Sequence, residues 1–144
     1  MLSRENRRVP ENIRIRAAVL AEMFAHAASD SARETCGLLA GRDGVITVLR
    51  TAPNVSLTPV TAYEIAPQDL FRIFREIRRG GFDFLGIYHS HPATDNAPSP
   101  TDIALAYYPD VAYFIVSPRP GVTSPVRAFC IRDGFAAEIT IEST

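Results

Sequence analysis

The chain has 144 residues, 47% of them apolar and 22% charged, with a formal net charge of -1. A chain of that size buries roughly two-thirds of its unfolded surface, enough for one core without disulfide or metal staples, and this excludes disorder over most of its length. No apolar run approaches the ~20 residues that span a bilayer, and the near-zero charge balance leaves no electrostatic footprint for nucleic acid. Residues 1–12 are polar and Arg-rich and are expected to form a flexible tail ahead of a single domain over 13–144. Ile13-Arg14-Ile15 alternates and suits a short strand. From Ala17 to about Ala28, apolar residues fall at Val19/Leu20, Met23/Phe24 and Ala27, the spacing of one helical face.

Two β-prone runs, Glu34 to Ala40 and Val45 to Arg50, are joined by Gly41-Arg42-Asp43-Gly44, a hairpin signal. Asn54 to Pro59 reads as a loop and Tyr63-Glu64-Ile65 as a possible strand. Pro67 opens a second helix with Leu70, Phe71, Phe74 and Ile77 on one face, stopped by Gly80-Gly81. Phe82 to His91 is apolar and aromatic enough for a central strand, ended by Pro92. After the loop Ala93 to Pro98, Ser99 occupies a helix N-cap position, Pro100 the first helical position and Asp102 the third, so a third helix starts there. Val111 to Val116 is another strand, and Val126 to Ile131 with Phe135 to Ile141 form a final pair around Asp133-Gly134. Strands mingled with three helices predict an α/β fold: a single-domain mixed β-sheet flanked by three helices.

Cys36 and Cys130 each lie in an apolar stretch without a Cys-x-x-Cys partner, so both are expected as buried free thiols in a cytoplasmic chain. Ala17 to Ala28 fails as a secretion signal because Glu22 and His26 interrupt it and acidic residues spoil its basic leader. His26 lies four residues from Glu22 on the polar side of its helix and is expected in solvent. Arg72, Arg75 and Arg79 recur at helical spacing with Arg78 adjacent. This basic stripe is open to two readings, a docking surface for an acidic partner or an ordinary solvated helix face.

The chemistry concentrates at His89 and His91. Two residues apart at a strand end, both imidazoles project from one face with Cα atoms roughly 6 to 7 Å apart, a spacing that suits two nitrogens meeting one ion. A catalytic zinc takes three protein ligands and keeps one open position. Asp102 lies in the first turn of the helix that follows, and a strand-loop-helix hairpin can swing that turn back over the strand end to complete a His-His-Asp set. Isolated strand-end histidine pairs are more often solvated or hydrogen-bonded than metallated, and Ser99 and Asp102 have a complete explanation as helix cap and first-turn acid. Glu34, taken alone at a strand start, reads as a surface acid.

The whole pattern, His89-x-His91-Pro92, six residues, Ser99, two residues, Asp102, with Glu34 upstream inside Glu-x-Cys-Gly-Leu-Leu, resembles the JAMM motif of the MPN-plus metalloproteases at every motif position. The resemblance implies His89, His91 and Asp102 as zinc ligands, Glu34 as general base toward the water that the zinc activates, and Ser99 as a hydrogen-bond donor to the oxyanion. It further implies an isopeptidase or peptidase acting after the C-terminal tail of a ubiquitin-like protein. For small stand-alone bacterial members, the partner implied is a ubiquitin-like sulfur-carrier protein. Such a tail is expected to add as a strand to an exposed sheet edge beside the zinc, flanked by the loops Asn54 to Pro59 and Ala93 to Pro98. A metal-free MPN-type binding scaffold is the alternative, and the intact Glu34, His89, His91 and Asp102 set argues against it. A zinc deaminase would need a Cys-x-x-Cys pair that the chain lacks.

Overall fold

In the computed structural model, which describes residues 10–144, strands and helices follow one another along the chain. They are β1 (Asn12–Ile15), α1 (Ala17–Ala28), β2 (Cys36–Arg42), β3 (Val45–Ala52), α2 (Pro67–Arg79), β4 (Asp83–Ser90), α3 (Pro100–Ala104), β5 (Ala112–Val116), β6 (Val126–Arg132) and β7 (Phe135–Ser143). The tail expected over residues 1–12 falls mostly on residues 1–9, outside the described residues, and Asn12 already belongs to β1.

The strand order is β1-β3-β2-β4-β5-β6-β7, and β1 closes the sheet by running parallel to both β3 and β7. β4 and β5 are parallel and the other neighbours antiparallel, which is the mixed sheet with three helices that the sequence implies. Closure into a barrel goes beyond that reading, because four residues of β1 carry no pattern that names two partners. The His-bearing strand β4 is itself paired on both sides, to β2 and β5, whereas β1 covers β3 only at Val45 and Ile46.

Period-two alternation sorts the apolar residues. Leu39 of β2, Tyr88 of β4 and Phe114 and Val116 of β5 join Val19 and Met23 of α1 in one cluster. The intervening Cys36, Leu38 and Ala40 pack under Ile73 and Ile77 of α2. A third cluster holds Ile87, Tyr113, Ile115 and Phe129. Each buried aliphatic side chain contributes about 1.5–3 kcal/mol relative to exposure. Both cysteines are buried and free, as expected.

The two hairpins turn on Asp-Gly pairs in which both residues have positive φ, Asp43 (54°) with Gly44 (76°) and Asp133 (50°) with Gly134 (80°). That conformation follows the right-handed twist of the flanking strands. Tyr63-Glu64-Ile65 is not a strand. The Glu64 N–H donates to the Asn54 side chain and its carbonyl accepts from the Val55 N–H, so the backbone groups that a strand would offer a neighbour are spent within the loop. β2 likewise starts at Cys36 rather than Glu34, whose N–H donates to the Pro59 carbonyl.

A β-carbon at Gly41 would lie 1.7 Å from the Val45 carbonyl oxygen, whereas at Gly44 it would meet nothing within 4 Å. Gly41→Ala is therefore expected to cost about 3 kcal/mol through a backbone clash that no side-chain rotation relieves. Gly44→Ala should cost only about 1–2 kcal/mol of left-handed strain. Urea unfolding of the two variants checks the ranking.

Candidate metal centre

The β2–β4 ladder explains how residues 34 and 91 meet. Cys36 pairs with His89, and the antiparallel register continues past the strand ends through the Ser90 N–H, which donates to the Thr35 carbonyl at 3.0 Å. Two residues further, Glu34 comes opposite His91, on the same face as His89. Thr35, Ser90 and Tyr88 take the opposite face. There the Ser90 hydroxyl accepts from the Thr35 N–H at 2.8 Å, and the Thr35 hydroxyl lies 2.7 Å from the Tyr88 hydroxyl. His26 extends this chain. Its Nδ1 meets the Tyr88 hydroxyl and the residue is half-buried, not in solvent as its spacing from Glu22 suggested, because α1 packs over the buried Tyr88.

Asp102 arrives through the cap of α3. The Ser99 hydroxyl accepts from the Asp102 N–H at 3.0 Å, and Asp102 Oδ2 accepts from the Ser99 N–H at 2.9 Å, a reciprocal capping box. The same Oδ2 lies 3.2 Å from His89 Nε2 and 3.1 Å from His91 Nε2, and the two Nε2 atoms are 3.1 Å apart. Glu34 completes the group: one ligand atom from each of Glu34, His89, His91 and Asp102 lies within 4.8 Å of the others, and all four residues are buried. The sequence-predicted residues thus come together, with Ser99 at the cap beside them. His26 stands outside the group.

Two residues in this region carry no sequence signal. Tyr63 stacks on the His89 ring at 4.5 Å and 21°. Asp95 offers its backbone carbonyl to His91 Nδ1 at 2.7 Å. Nothing in a lone loop tyrosine or a backbone carbonyl announces either contact.

The donor set fits a divalent ion. Because the Asp95 carbonyl can only accept, His91 Nδ1 carries a proton, and in the neutral ring Nε2 is a bare lone pair. That lone pair faces a carboxylate oxygen at 3.1 Å, an arrangement that needs a cation or an added proton between the two. Tetrahedral zinc ligands at about 2.0 to 2.1 Å are themselves separated by roughly 3.3 Å, close to the triangle seen. His89 Nδ1 and Glu34 Oε1 are buried without a hydrogen-bond partner.

The charges are tuned by these contacts. Without metal, burial works against the Asp102 carboxylate, but the imidazoles, where Nε2 carries the added proton, and the Ser99 N–H hold it well below the usual carboxylate range. Burial lowers His89, whereas His91 is raised despite its burial by Asp102 and the Asp95 carbonyl. Burial, aided by the negative charge on Asp102, pushes Glu34 up to about 8 in the absence of metal.

The family model for prokaryotic homologues of the JAB domain matches residues 16–130. The chain belongs to that family. It is 39% identical over 111 residues to a desampylase from Haloferax volcanii, covering 76% of this chain and 80% of the relative. It is 36% identical over 126 residues to the CysO-cysteine peptidase of Mycobacterium tuberculosis, covering 86% of each. The solution structure of a protein from Desulfitobacterium hafniense superposes with a TM-score of 0.81 at 31% identity, covering 92% of both chains.

Two recesses of this JAB-domain protein reach the four-residue group. One, of about 500 Å³, is lined by Tyr63, Leu70, Ile87, Asp102, Leu105 and Tyr108 among others. The other, of about 360 Å³, is lined by His26, Asp30, Arg33, Glu34 and Asn54 among others.

The protein is expected to bind one equivalent of zinc, measured by metal analysis after dialysis. At zinc a thousandfold above the dissociation constant, binding should add about 4 kcal/mol of stability, seen as a fall in melting temperature on adding a chelator. Asp102→Ala should lose both the metal and the chelator effect. Ser99→Ala should keep them while losing about 1 kcal/mol from the helix cap.

Proposed function

We propose that this JAB-domain protein is a zinc-dependent metallopeptidase that hydrolyses the amide bond after the C-terminal tail of a ubiquitin-like sulfur-carrier protein in the cytoplasm. The observation that carries the reading is the convergence of His89 Nε2, His91 Nε2 and Asp102 Oδ2 within 3.2 Å of one another, with Glu34 beside them. The substrate is supported by the motif resemblance and by relatives known as a desampylase and a CysO-cysteine peptidase. Among the described residues, no helix is long and apolar enough to cross a membrane.

His89, His91 and Asp102 hold the ion. When bound, it supplies Lewis acidity, polarising the scissile carbonyl and acidifying water at the site. Glu34 takes a proton from the attacking water and returns it to the leaving nitrogen as the C–N bond breaks, so that an amide and one water end as a carboxylate and an amine. Its free oxygen suits that task, since Glu34 Oε1 has no hydrogen-bond partner in the protein and is available to take a proton and release it. The Ser99 hydroxyl accepts from the Asp102 N–H, which leaves its own proton for the carbonyl oxygen as negative charge develops there.

The larger recess offers a place for an extended tail. It starts at Asp102 and Tyr63 and is walled by apolar and tyrosine side chains, which suits a chain held by shape and backbone contacts. Glu34 lines the other, more polar recess, so the amine that it protonates departs on that side. The arginine stripe is exposed on α2, with Arg72 tied to Asp69 and Glu76 in its own helix and Arg75 over the Phe71 ring. A metal-free scaffold would gain nothing from burying four ionisable groups against one another, an arrangement that costs desolvation.

The deciding experiment incubates the protein with the organism's own ubiquitin-like carrier proteins bearing C-terminal amino acids and follows their mass with and without a chelator. Chelator-sensitive loss of the terminal group is expected. Glu34→Gln should retain the zinc and lose about 10²- to 10⁴-fold in kcat. Full activity in that variant, or turnover indifferent to the chelator, would sink the assignment.

A further inference from the structure

The Asn54 side chain uses its whole hydrogen-bonding capacity on backbone groups. Its Nδ2 donates to the carbonyls of Glu34 and Ala62 at 3.0 Å each, with the Pro59 carbonyl at 3.5 Å. Its Oδ1 accepts from the N–H groups of Ser56 and Glu64, both at 3.0 Å. An amide has two N–H donors and two carbonyl lone pairs, so all four are engaged. The orientation is forced, because turning the amide over would set its oxygen against three carbonyls and its NH₂ against two N–H groups.

Both backbone groups of Glu34 are thereby fixed to one loop, residues 54–65. The carbonyl accepts from Asn54, and the N–H donates to the Pro59 carbonyl at 2.8 Å, itself within reach of the same amide. Glu34 Oε1, in contrast, is buried with no partner. The carboxylate is aimed through its backbone. The same loop carries Tyr63, whose ring lies on His89, but none of the Asn54 bonds is to Tyr63 itself, so the contact that the knot fixes directly at the site is the one to Glu34.

We propose that Asn54 is a positioning residue for Glu34: its amide ties the loop 54–65 to the Glu34 backbone and sets where the carboxylate meets the reacting water. The proposal rests on the reading of Glu34 as the general base. Asn54 itself touches none of the reacting atoms. A shift of about 1 Å in a catalytic group is enough to cost on the order of 10²-fold in rate, so loss of the knot registers in kcat.

Asn54→Ala is expected to lower kcat about 10- to 100-fold with KM changed less than threefold and zinc stoichiometry unaltered. In a Glu34→Gln background, measured by single turnover, the same substitution should cost less than about threefold, because the group it positions is no longer a base. A merely structural loop would give the full loss in both backgrounds, and that result would overturn the proposal. An unchanged kcat in Asn54→Ala would overturn it as well.

A readout without metal or substrate comes from amide hydrogen exchange on the zinc-free protein. In Asn54→Ala, protection at Ser56, Glu64 and Glu34 should fall at least tenfold while β4 and β5 keep theirs. Loss of protection throughout, or at none of these sites, counts against the knot. The near-isosteric Asn54→Asp serves if the alanine variant does not fold. It keeps the Oδ1 acceptor but sets an anion against the Glu34 and Ala62 carbonyls, so Ser56 and Glu64 should stay protected while kcat falls as for alanine. Full kcat in Asn54→Asp would refute the role of the Glu34 contact. If the unsubstituted protein turned over no carrier adduct, the functional reading would fall, and the exchange data would still decide whether Asn54 holds Glu34.

Discussion

A single oxygen atom, Oδ2 of Asp102, accepts from the Ser99 N–H and faces both Nε2 atoms of His89 and His91. The site depends on this sharing. α3 is only five residues long, far short of what holds a helix together by propagation alone, so its first turn is fixed chiefly by the capping box. The cap aims the carboxylate, and the carboxylate, negative and buried, needs positive or donating partners to offset its desolvation. Helix cap and proposed metal donor are therefore one and the same carboxylate. The requirement explains why an ordinary cap sequence, Ser99-Pro100-Thr101-Asp102, ends up at the chemical centre of the molecule.

A second constraint comes from strand register. With Cys36 opposite His89, the β2–β4 ladder leaves no choice about which residues share a face: Glu34, His89 and His91 on one side, Thr35, Tyr88 and Ser90 on the other. A slip by one residue would exchange the two sets. The hydroxyl network on the far side resists that slip. Thr35 and Ser90 bond across the strands through both backbone and side chain, and Tyr88 links them to His26 on α1. A polar chain inside an otherwise apolar cluster stabilises little by itself, but it specifies one register among the alternatives.

How much of this was legible in the sequence differs by residue, for physical reasons. The His89–His91 pair is readable because strand side chains repeat every two residues, and Asp102 is readable because capping chemistry is local. Glu34 is not readable from its own surroundings. Its place depends on a register between segments more than fifty residues apart, and only the motif resemblance pointed to it. The Tyr63–Ile65 segment misleads because β-prone side chains do not show where backbone groups bond, and here the Asn54 side chain and the Val55 N–H take those of Glu64. His26 misleads because helical spacing identifies a polar side but not a hydroxyl waiting beneath it. Barrel closure through β1 depends on pairings to two distant strands that four residues cannot encode.

In the proposed mechanism, the contrast between Asp102 and Glu34 gives the site two functions instead of one. Both are buried carboxylates within 4.8 Å of the same imidazoles. Asp102 Oδ2 accepts from the Ser99 N–H and faces both Nε2 atoms, a position that suits a carboxylate proposed to hold a cation. Glu34 Oε1 has no hydrogen-bond partner, so no protein donor suppresses its basicity. Hydrogen bonds to a carboxylate anchor it and suppress its basicity in the same act. A base that must stay basic cannot be anchored that way. Fixing it through its backbone, as the loop 54–65 does, leaves the oxygens free to work and still holds them in place.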